Sequence, residues 1–575
     1  MFFFCFFEVL TSLASPQTGI ISPHLPERSY FKDSLTKQEA KLDLKILKTA
    51  LLQAHPGLNL YQSIQDFESQ TTQLEHSLPD KISLTSFLEA LSRLVASIRC
   101  GHTSIGISEN QMQSINQTET FFPFPIKIIE GRAWIDLAFK IDGKNLLGAE
   151  IVSINGRSVA SLLTRLASLV TTDGNNKTLP DTYLEDHFYL YYLLFVEKSR
   201  QFDLILGEQV QEEHIDSSGR FFRQSDSAHM QSTSRTLYSD SIFFTEPVHI
   251  RGTKLTHCRI ASVSKQTVIE NYKNRVSLSL FYRQTGDKKV ANINHTSPSN
   301  HHTNQTCLNL LKDKKTAILT ITSFDNEELR KQNIRLKQFL KDSFDKLASN
   351  NISSLVLDIR QNTGGDEGNE DLLLSYLVDK PYRKYQSVSI NPPDYSFLEY
   401  TYLANGRKAR KFRKSLQNEF SLDSNHVYTR KDGFFKPTKL HKPTFKGNVY
   451  VLIGGRVFSG ASEFITLLDQ NRQTVFIGQE SGGNYYGNTS GEYISVHLPN
   501  SDFELTIPLC LYRLSVTQTA IGQDANTFSN SSNTKNLPRD HGLVPDYQIY
   551  QTLSDLKSGR DTLIDYTLQL ISKKR

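Results

Sequence analysis

The chain has 575 residues, 38% of them hydrophobic and 22% charged, which is too long for a single hydrophobic core and suggests several domains. Its formal net charge of +5 is weak for this length and suggests a scattered distribution, and no basic patch with interleaved aromatic residues is found. No apolar run is long enough to span a bilayer. The composition therefore predicts a globular protein with no nucleic-acid partner and no stable membrane span; it does not indicate an oligomeric state.

The N-terminus favours export. Residues 1–15 (MFFFCFFEVLTSLAS) are apolar and end in small residues, as at a signal-peptide cleavage site, although Glu8 interrupts them and no basic segment precedes them. We expect a possible signal peptide and a periplasmic or extracellular location rather than a cytoplasmic one. The other cysteines are widely spaced, which predicts no metal site and makes two disulfides possible but not required. They are Cys100, Cys258, Cys307 and Cys510.

The N-terminal region has helical periodicity. A leucine face between Leu44 and Leu51 predicts a helix that stops at His55, before Pro56-Gly57. A second amphipathic helix follows Thr85 and runs directly into Gly101-His102-Thr103. These patterns predict an N-terminal helical domain over residues 30–110.

The region after the N-terminal helices combines a predicted hairpin with a helix. Residues 150–154 alternate apolar and polar side chains and lead into Asn155-Gly156, a dipeptide typical of hairpin turns. A helix is predicted from Val159 to Leu169. The pattern is typical of a PDZ-like domain, which we place at 120–210. Residues 211–313 lack periodicity, so we expect peripheral strands and a long mobile loop there.

The remainder, residues 314–575, predicts an α/β core. Its short apolar strands are of the buried, parallel kind: Ala317–Ile321, Leu355–Ile359, Val449–Ile453 and Val475–Gly478. A helix over Glu328–Leu347 lies between the first two, and an irregular insertion is expected over 381–445. The basic run Arg407–Lys414 favours a solvated loop or helix face over a binding patch.

Two segments of this core carry the chemistry. LDIRQNTGG (Leu357–Gly365) and GGRVFSGASEF (Gly454–Phe464) each read as a buried strand followed by a small-residue turn, and the second has Ser459 where a helix starts. Ser459 is either a helix N-cap or a nucleophile at a strand end, and the two roles are compatible. The first segment is either an oxyanion-binding turn or a structural turn held by an Asp358–Arg360 pair.

These motifs, followed by Gly478–Gly483 (GQESGG) and Gly542–Asp546 (GLVPD), resemble the C-terminal-processing, or tail-specific, serine peptidase family. The resemblance is strongest to the branch related to the tricorn core peptidase and the retinoid-binding proteins of the retina, and it covers residues 36–550. It implies an α/β (α+β multidomain) fold, with a crotonase/ClpP-like catalytic core behind a PDZ-like module and an N-terminal helical domain.

The resemblance also implies the roles of individual residues. Ser459 occupies the nucleophile position, and the oxyanion hole is the N–H of Gly460 with that of Gly364 or, preferably, Gly365. Asn484 stands where the larger branch of the family has a lysine base. Asparagine accepts no proton near neutral pH, whereas the Gly-His-Thr segment matches the position of the histidine base in the tricorn-like branch. We therefore expect His102 as general base, with the orienting group open among Glu480, Asp540 and Thr103.

The resulting hypothesis is a serine-type peptidase that cleaves peptides or proteins through a Ser–His site, with no cofactor and no metal. The alternative is a catalytically inactive peptide- or lipid-binding protein on the same fold. In either case the histidine must come from the N-terminal helical domain and complete a site begun in the C-terminal core.

Overall fold

A computed structural model describes most of the chain: residues 32–141, 144–209, 243–244, 248–250, 253–273, 275, 305–311, 315–435, 438–516, 527–529, 536–538, 540–558 and 560–573. The predicted signal peptide and most of the region expected to hold a mobile loop lie outside these residues. Both stay predictions.

The N-terminal part is helical, as predicted. Its elements are β1 (Ser34–Thr36), α1 (Lys37–Ala54), α2 (Ile64–Ser77), β2 (Lys81–Ser83), α3 (Leu84–Ala96), β3 (Ser104–Ile107) and α4 (Glu109–Thr118). Helix α1 begins with a capping box, in which the Thr36 side chain accepts from the Glu39 N–H and the Glu39 carboxylate accepts from the Thr36 N–H. The predicted leucine face, from Leu44 to Leu51, is buried.

An antiparallel β-sheet with three helices follows. Its elements are β4 (Ile126–Ile129), β5 (Arg132–Ile135), β6 (Lys140–Ile141), β7 (Lys144–Asn145), β8 (Glu150–Ile154), β9 (Arg157–Ser158), α5 (Val159–Ala167), α6 (Thr178–Phe195), β10 (Gln201–Gln209), β11 (Phe243–Phe244), β12 (Val248–Ile250), β13 (Thr253–Ala261) and α7 (Lys265–Lys273). The main strand order is β11-β13-β10-β8-β5-β4. Asn155 and Gly156, with φ of 48° and 75°, form the predicted hairpin turn between β8 and β9.

The C-terminal core is α/β. Its elements are β14 (Cys307–Leu311), β15 (Thr316–Thr320), α8 (Asn326–Lys331), α9 (Leu336–Ser349), β16 (Ser354–Asp358), α10 (Asn369–Leu374), β17 (Tyr385–Ile390), α11 (Gly406–Glu419), β18 (Phe420–Leu422), β19 (Tyr428–Arg430), β20 (Asn448–Ile453), α12 (Gly460–Asn471), β21 (Val475–Gly478), β22 (Gly487–Leu498), β23 (Phe503–Leu514), β24 (Thr527–Ser529), β25 (Asn536–Pro538), β26 (Tyr547–Gln548), α13 (Leu553–Ser558) and α14 (Thr562–Lys573). One sheet has the order β14-β15-β16-β20-β21-β26, parallel except for β14.

Two sequence predictions for this core were wrong in detail. The single helix expected over Glu328–Leu347 is divided into α8 and α9, because Asn333 takes a left-handed φ of 59° that ends the first helix. The insertion over 381–445 is not irregular, since it contains β17, α11, β18 and β19. Strands β18, β19 and β17 extend a second sheet whose order is β18-β19-β17-β23-β22.

Strand β3 joins the N-terminal helices to this second sheet. It pairs antiparallel with β23, so that Ser104 lies opposite Thr506 and Ile107 lies opposite Phe503. The inward side chains of the β22–β23 hairpin share one hydrophobic core with α1 and α3. Because β3 begins directly after Thr103, this pairing fixes where the Gly-His-Thr turn meets the C-terminal core.

The described part of the chain contains no helix that is both long and apolar enough to cross a membrane. No disulfide joins the four cysteines that lie in it.

Candidate active site

Ser459 stands at the junction between a central strand and a helix. The chain leaves β20, turns, and enters α12 at Gly460, with Ser459 at φ 51° and ψ −130°. A positive φ is unfavourable for a residue with a Cβ and persists only where its surroundings hold it. Here the Ser459 carbonyl accepts from the Glu463 N–H (3.0 Å) and from the Ser462 hydroxyl (2.7 Å). The Ser459 side chain makes no capping hydrogen bond, so this residue is not the side-chain N-cap that its position allows.

The glycine turn after β16 packs directly against this junction. A Cβ added to Gly364 would lie 2.8 Å from the Ser459 Cβ and 2.9 Å from the Gly460 nitrogen, so only glycine fits there. Gly365 is equally constrained, because its added Cβ would meet the Asp325 nitrogen at 2.0 Å. The two predicted oxyanion segments are therefore neighbours in space.

The backbone N–H groups of Gly364 and Gly365 differ in their hydrogen bonding. The Gly364 N–H donates to the Asn362 side-chain oxygen (2.9 Å), and the Gly364 carbonyl accepts from the Phe324 N–H (2.9 Å). The Phe324 carbonyl accepts from the Asp366 N–H (3.1 Å), which completes a parallel bridge between Phe324 and Gly365. In such a bridge the N–H of the bridging residue points away from its partner strand. The Gly365 amide is consequently the one that this pairing leaves available.

Asp358 and Arg360 form the structural pair that the sequence suggested. The Arg360 guanidinium donates to both oxygens of Asp358 (2.9 and 2.6 Å) and to both oxygens of Asp561 (3.0 and 2.8 Å). These pairs anchor the end of β16 to the segment before α14. The structural and the oxyanion interpretations of this turn are compatible, because they use different groups.

His102 lies against the residue that precedes the serine. Its ring stacks on Phe458, with 4.3 Å between ring centroids, and a Cβ added to Gly101 would be 2.7 Å from the same phenyl ring. His102 is only 7% exposed, and this burial lowers its pKa to about 3. The imidazole is therefore neutral across the physiological range.

A buried aspartate that the sequence analysis missed holds the histidine turn. The carboxylate of Asp173 accepts from the Gly101 N–H (2.8 Å) and from the Asn484 N–H (3.4 Å), which ties the turn to the segment after β21. Burial raises the Asp173 pKa to about 6, because the charged form loses its hydration there. No motif marks this residue, since it lies in an ordinary loop after α5.

Further buried contacts support the residues on either side of His102. The His55 Nδ1 accepts from the Gly57 N–H (3.2 Å), so the neutral ring carries its proton on Nε2 and donates it to the Thr103 hydroxyl (2.8 Å). The Cys100 sulfur lies 2.6 Å from the Thr489 hydroxyl, and burial raises its pKa to about 11, which suits packing rather than nucleophilic chemistry.

Asn484, at the position of the family's lysine, is a buried structural residue. Its side-chain NH₂ donates to the Tyr61 hydroxyl (3.1 Å), and its side-chain oxygen accepts from the Tyr486 N–H (2.8 Å). It thus links the helical domain to the loop before β22.

The candidate orienting groups have other hydrogen-bond partners. Glu480 accepts from the Gly542 N–H (2.9 Å) and lies 3.1 Å from the Nδ1 of His541, while Asp540 accepts from the Asn175 side chain. The Thr103 hydroxyl accepts the hydrogen bond from His55 described above. The selection of His102's orienting group stays a prediction, and His541 is a second histidine of this region that the sequence analysis overlooked.

A buried ionic cluster lies beneath the first turn of α12. The Lys384 ammonium contacts Glu370 and is 3.1 Å from the carboxylate of Glu463, and both carboxylates are almost fully buried. The Glu370 carboxylate also accepts from the Gly368 N–H (3.0 Å) and would be 3.8 Å from a Cβ at Gly460. The cluster therefore couples α12 to the turn before α10.

Comparisons with known proteins agree with this fold. Residues 315–548 match the profile of peptidase family S41. Among solved structures, mature CPAF complexed with lactacystin superposes with a TM-score of 0.56 at 12% identity, covering 93% of this chain and 98% of that one. Uncomplexed mature CPAF gives a TM-score of 0.54 at 13% identity, with the same shares of the two chains covered. No curated protein matches the sequence.

The C-terminal core is that of a serine-type hydrolase. Its match to the model of peptidase family S41 agrees with the family that the resemblance of its motifs predicted. The multidomain α/β architecture predicted with it is confirmed by the likeness to CPAF, which at this level of identity concerns the fold alone.

Proposed function

We propose that the protein cleaves polypeptides with Ser459 as nucleophile and His102 as general base. The observation that carries this proposal is the stack of His102 on Phe458, the residue immediately before a strained, buried Ser459. A nucleophile and its base have to be neighbours, and these two residues are brought together although they are far apart in the sequence. The match of residues 315–548 to peptidase family S41 supports the reaction class, and the local geometry supports the assignment of residues.

The chemistry follows from the protonation states. A neutral His102 accepts the Ser459 hydroxyl proton as the Ser459 oxygen attacks the scissile carbonyl, and the resulting imidazolium then gives the proton to the leaving amine. The N–H groups of Gly460 and Gly365 would donate to the oxyanion of the tetrahedral intermediate. Water repeats the cycle on the acyl-enzyme and restores Ser459.

Substrate capture is assigned to residues 120–210. Strand β4 is one end of their sheet, and its Ile128 N–H already donates to the Glu185 carboxylate of α6 (3.0 Å). Strand addition at the rest of this edge would bind main chain, while pockets would select alternate side chains. From the family resemblance we infer that the substrate is captured close to its free C-terminus. The same resemblance and the apolar N-terminus support an exported enzyme.

A fluorophosphonate probe tests the proposal. We expect the wild type to be labelled, with the adduct located on Ser459 by peptide mass spectrometry, and we expect Ser459→Ala to abolish labelling. His102→Ala should slow labelling strongly, whereas Ser349→Ala, at an exposed serine on α9, should leave it unchanged. A folded wild type that takes no label would support the binding-protein alternative instead.

A further inference from the structure

The net charge of this protein is concentrated in one helix. Helix α11 contains six Lys and Arg residues and one Glu, so its net charge of +5 equals the formal net charge of the whole chain. The remaining residues therefore sum to zero. The net charge is therefore concentrated in α11, whereas the composition alone suggested a scattered distribution.

The cations form one face of this helix. Arg407, Lys408, Arg410, Lys411 and Lys414, here called the basic face, are all exposed. The opposite side turns inward, where Ala409 and Phe412 pack against the main core and Leu416 is buried. With its apolar side already covered, the helix cannot insert into a bilayer or dock in an apolar groove.

Within the part of the chain that the structure describes, no cation of the basic face forms an ion pair. Arg413 is the cation of α11 that forms an ion pair, with Asp394 at 3.3 Å, and it lies outside the basic face. The only acid of the helix, Glu419, is held by Arg430 at 2.6 Å. Like charges spaced four apart, as in Arg410 and Lys414, repel each other and weaken a helix. Such a face is costly to keep unless an anionic partner covers it.

The neighbouring elements favour a polypeptide as that partner. The chain passes from α11 directly into β18, an end strand of its sheet, where Leu422 is 52% exposed. Val427, before β19, is 41% exposed. An open strand edge with apolar side chains suits an extended chain and offers nothing specific to a lipid headgroup or a nucleotide.

We propose that the basic face binds an acidic, extended segment of the polypeptide substrate. That this segment belongs to a substrate rests on the proposed function, whereas the binding of an acidic peptide does not. Helix α11 is about 20 Å long, which an extended chain spans with about six residues. Acidic side chains at alternate positions would all point to the helix.

Binding can be measured without catalysis. In the Ser459→Ala background we would titrate a fluorescein-labelled peptide of alternating glutamate and alanine, with a lysine-alanine peptide as control. The test variant is Arg410→Glu/Lys411→Glu/Lys414→Glu. The matched control reverses three exposed lysines of α9, Lys337, Lys341 and Lys346, and so changes the net charge equally.

We expect the acidic peptide to bind, the affinity to fall with added salt, and the α11 variant to weaken it at least tenfold while the α9 variant changes it by less than twofold. Equal affinities of the α11 and α9 variants would overturn the proposal. So would tighter binding of a single-stranded oligonucleotide, or of vesicles containing anionic lipid, than of the peptide.

Two further readouts separate this face from a structural role. The α11 variant should unfold at the same or a higher temperature than the wild type, because it relieves like-charge repulsion; a lower Tm would contradict that. In the Ser459-containing enzyme, a substrate with an acidic segment should be cleaved with a lower KM than its neutral counterpart, and the α11 variant should lose the difference. If the enzyme cleaves no polypeptide while the acidic peptide still binds, the proposed function is wrong and the proposed binding at the basic face is supported.

Discussion

The imidazole of His102 lies face to face with the phenyl ring of Phe458, at 4.3 Å between centroids and 28° between planes. Because Phe458 directly precedes Ser459, this stack brings a residue of the N-terminal region to the turn between β20 and α12, where we propose the nucleophile. It also buries the imidazole, which accounts for the lowered pKa of His102. One aromatic side chain thus has both a positioning and an electrostatic effect.

Removing the stack should impair turnover more than stability. We expect Phe458→Ala to lower kcat by roughly 10–100-fold, because a base that is free to shift by about 1 Å loses its alignment with the hydroxyl. Steady-state kinetics and thermal unfolding would be measured together. Phe339→Ala, at a partly buried phenylalanine in the core of the parallel sheet, is the matched control and should leave kcat unchanged. An unchanged kcat in Phe458→Ala would refute the positioning role.

Asp173 should prove to be a positioning residue. Its carboxylate accepts two backbone N–H groups, and an amide replacement can satisfy only one of them, since its NH₂ would face the other donor. Asp173→Asn is therefore expected to lower kcat by roughly tenfold with little change in KM. A protein in which KM alone rises would indicate a role in substrate binding instead.

The two buried histidines predict a loss of stability in acid. Burial lowers the pKa of His55 and of His102 to about 3, while both titrate near 6.5 in the unfolded chain. Below pH 6.5 the unfolded state thus binds more protons, and stability declines as the pH falls from 6.5 towards 3. Relative to the wild type, His55→Gln should lose less free energy of unfolding between pH 7 and pH 4, as measured by urea titration. Parallel curves would contradict this assignment.

Lys384 should be essential for stability although it lies outside the reaction. Its removal leaves the buried carboxylates of Glu370 and Glu463 without their cation, which typically costs about 3–5 kcal/mol. Lys384→Met should therefore lower the free energy of unfolding by about that amount. The exposed Lys337→Met should change it by less than about 0.5 kcal/mol. Restored stability in Lys384→Met/Glu370→Gln/Glu463→Gln would identify the uncompensated charges as the cause.

Much of the core could be predicted from sequence because its signals are local. The central parallel strands are continuous apolar runs, and Ser459 sits in a strand–turn–helix pattern that only small residues allow. The same locality explains why a single helix is predicted over Glu328–Leu347. The helical periodicity continues through Asn333, whose left-handed backbone divides α8 from α9.

The residues that support the site were not predictable, because their roles depend on long-range pairing. Asp173 acquires its function only when β3 docks on β23 and carries Gly101 to it. His55 and Lys384 likewise act through partners that are far away in sequence. His102 itself was predicted from the resemblance, from the asparagine that replaces the family's lysine at position 484, and from its glycine turn directly after an amphipathic helix.

The central claim is that Ser459 and His102 act as one unit, and a double-mutant cycle tests it most directly. Turnover of a polypeptide substrate would be measured for the wild type, Ser459→Ala, His102→Ala and the double variant. We predict that each single variant loses roughly 10⁴–10⁶-fold in kcat and that the double variant is no slower than the slower single one. A His102→Ala enzyme within tenfold of the wild type, or losses that multiply in the double variant, would contradict the Ser–His site.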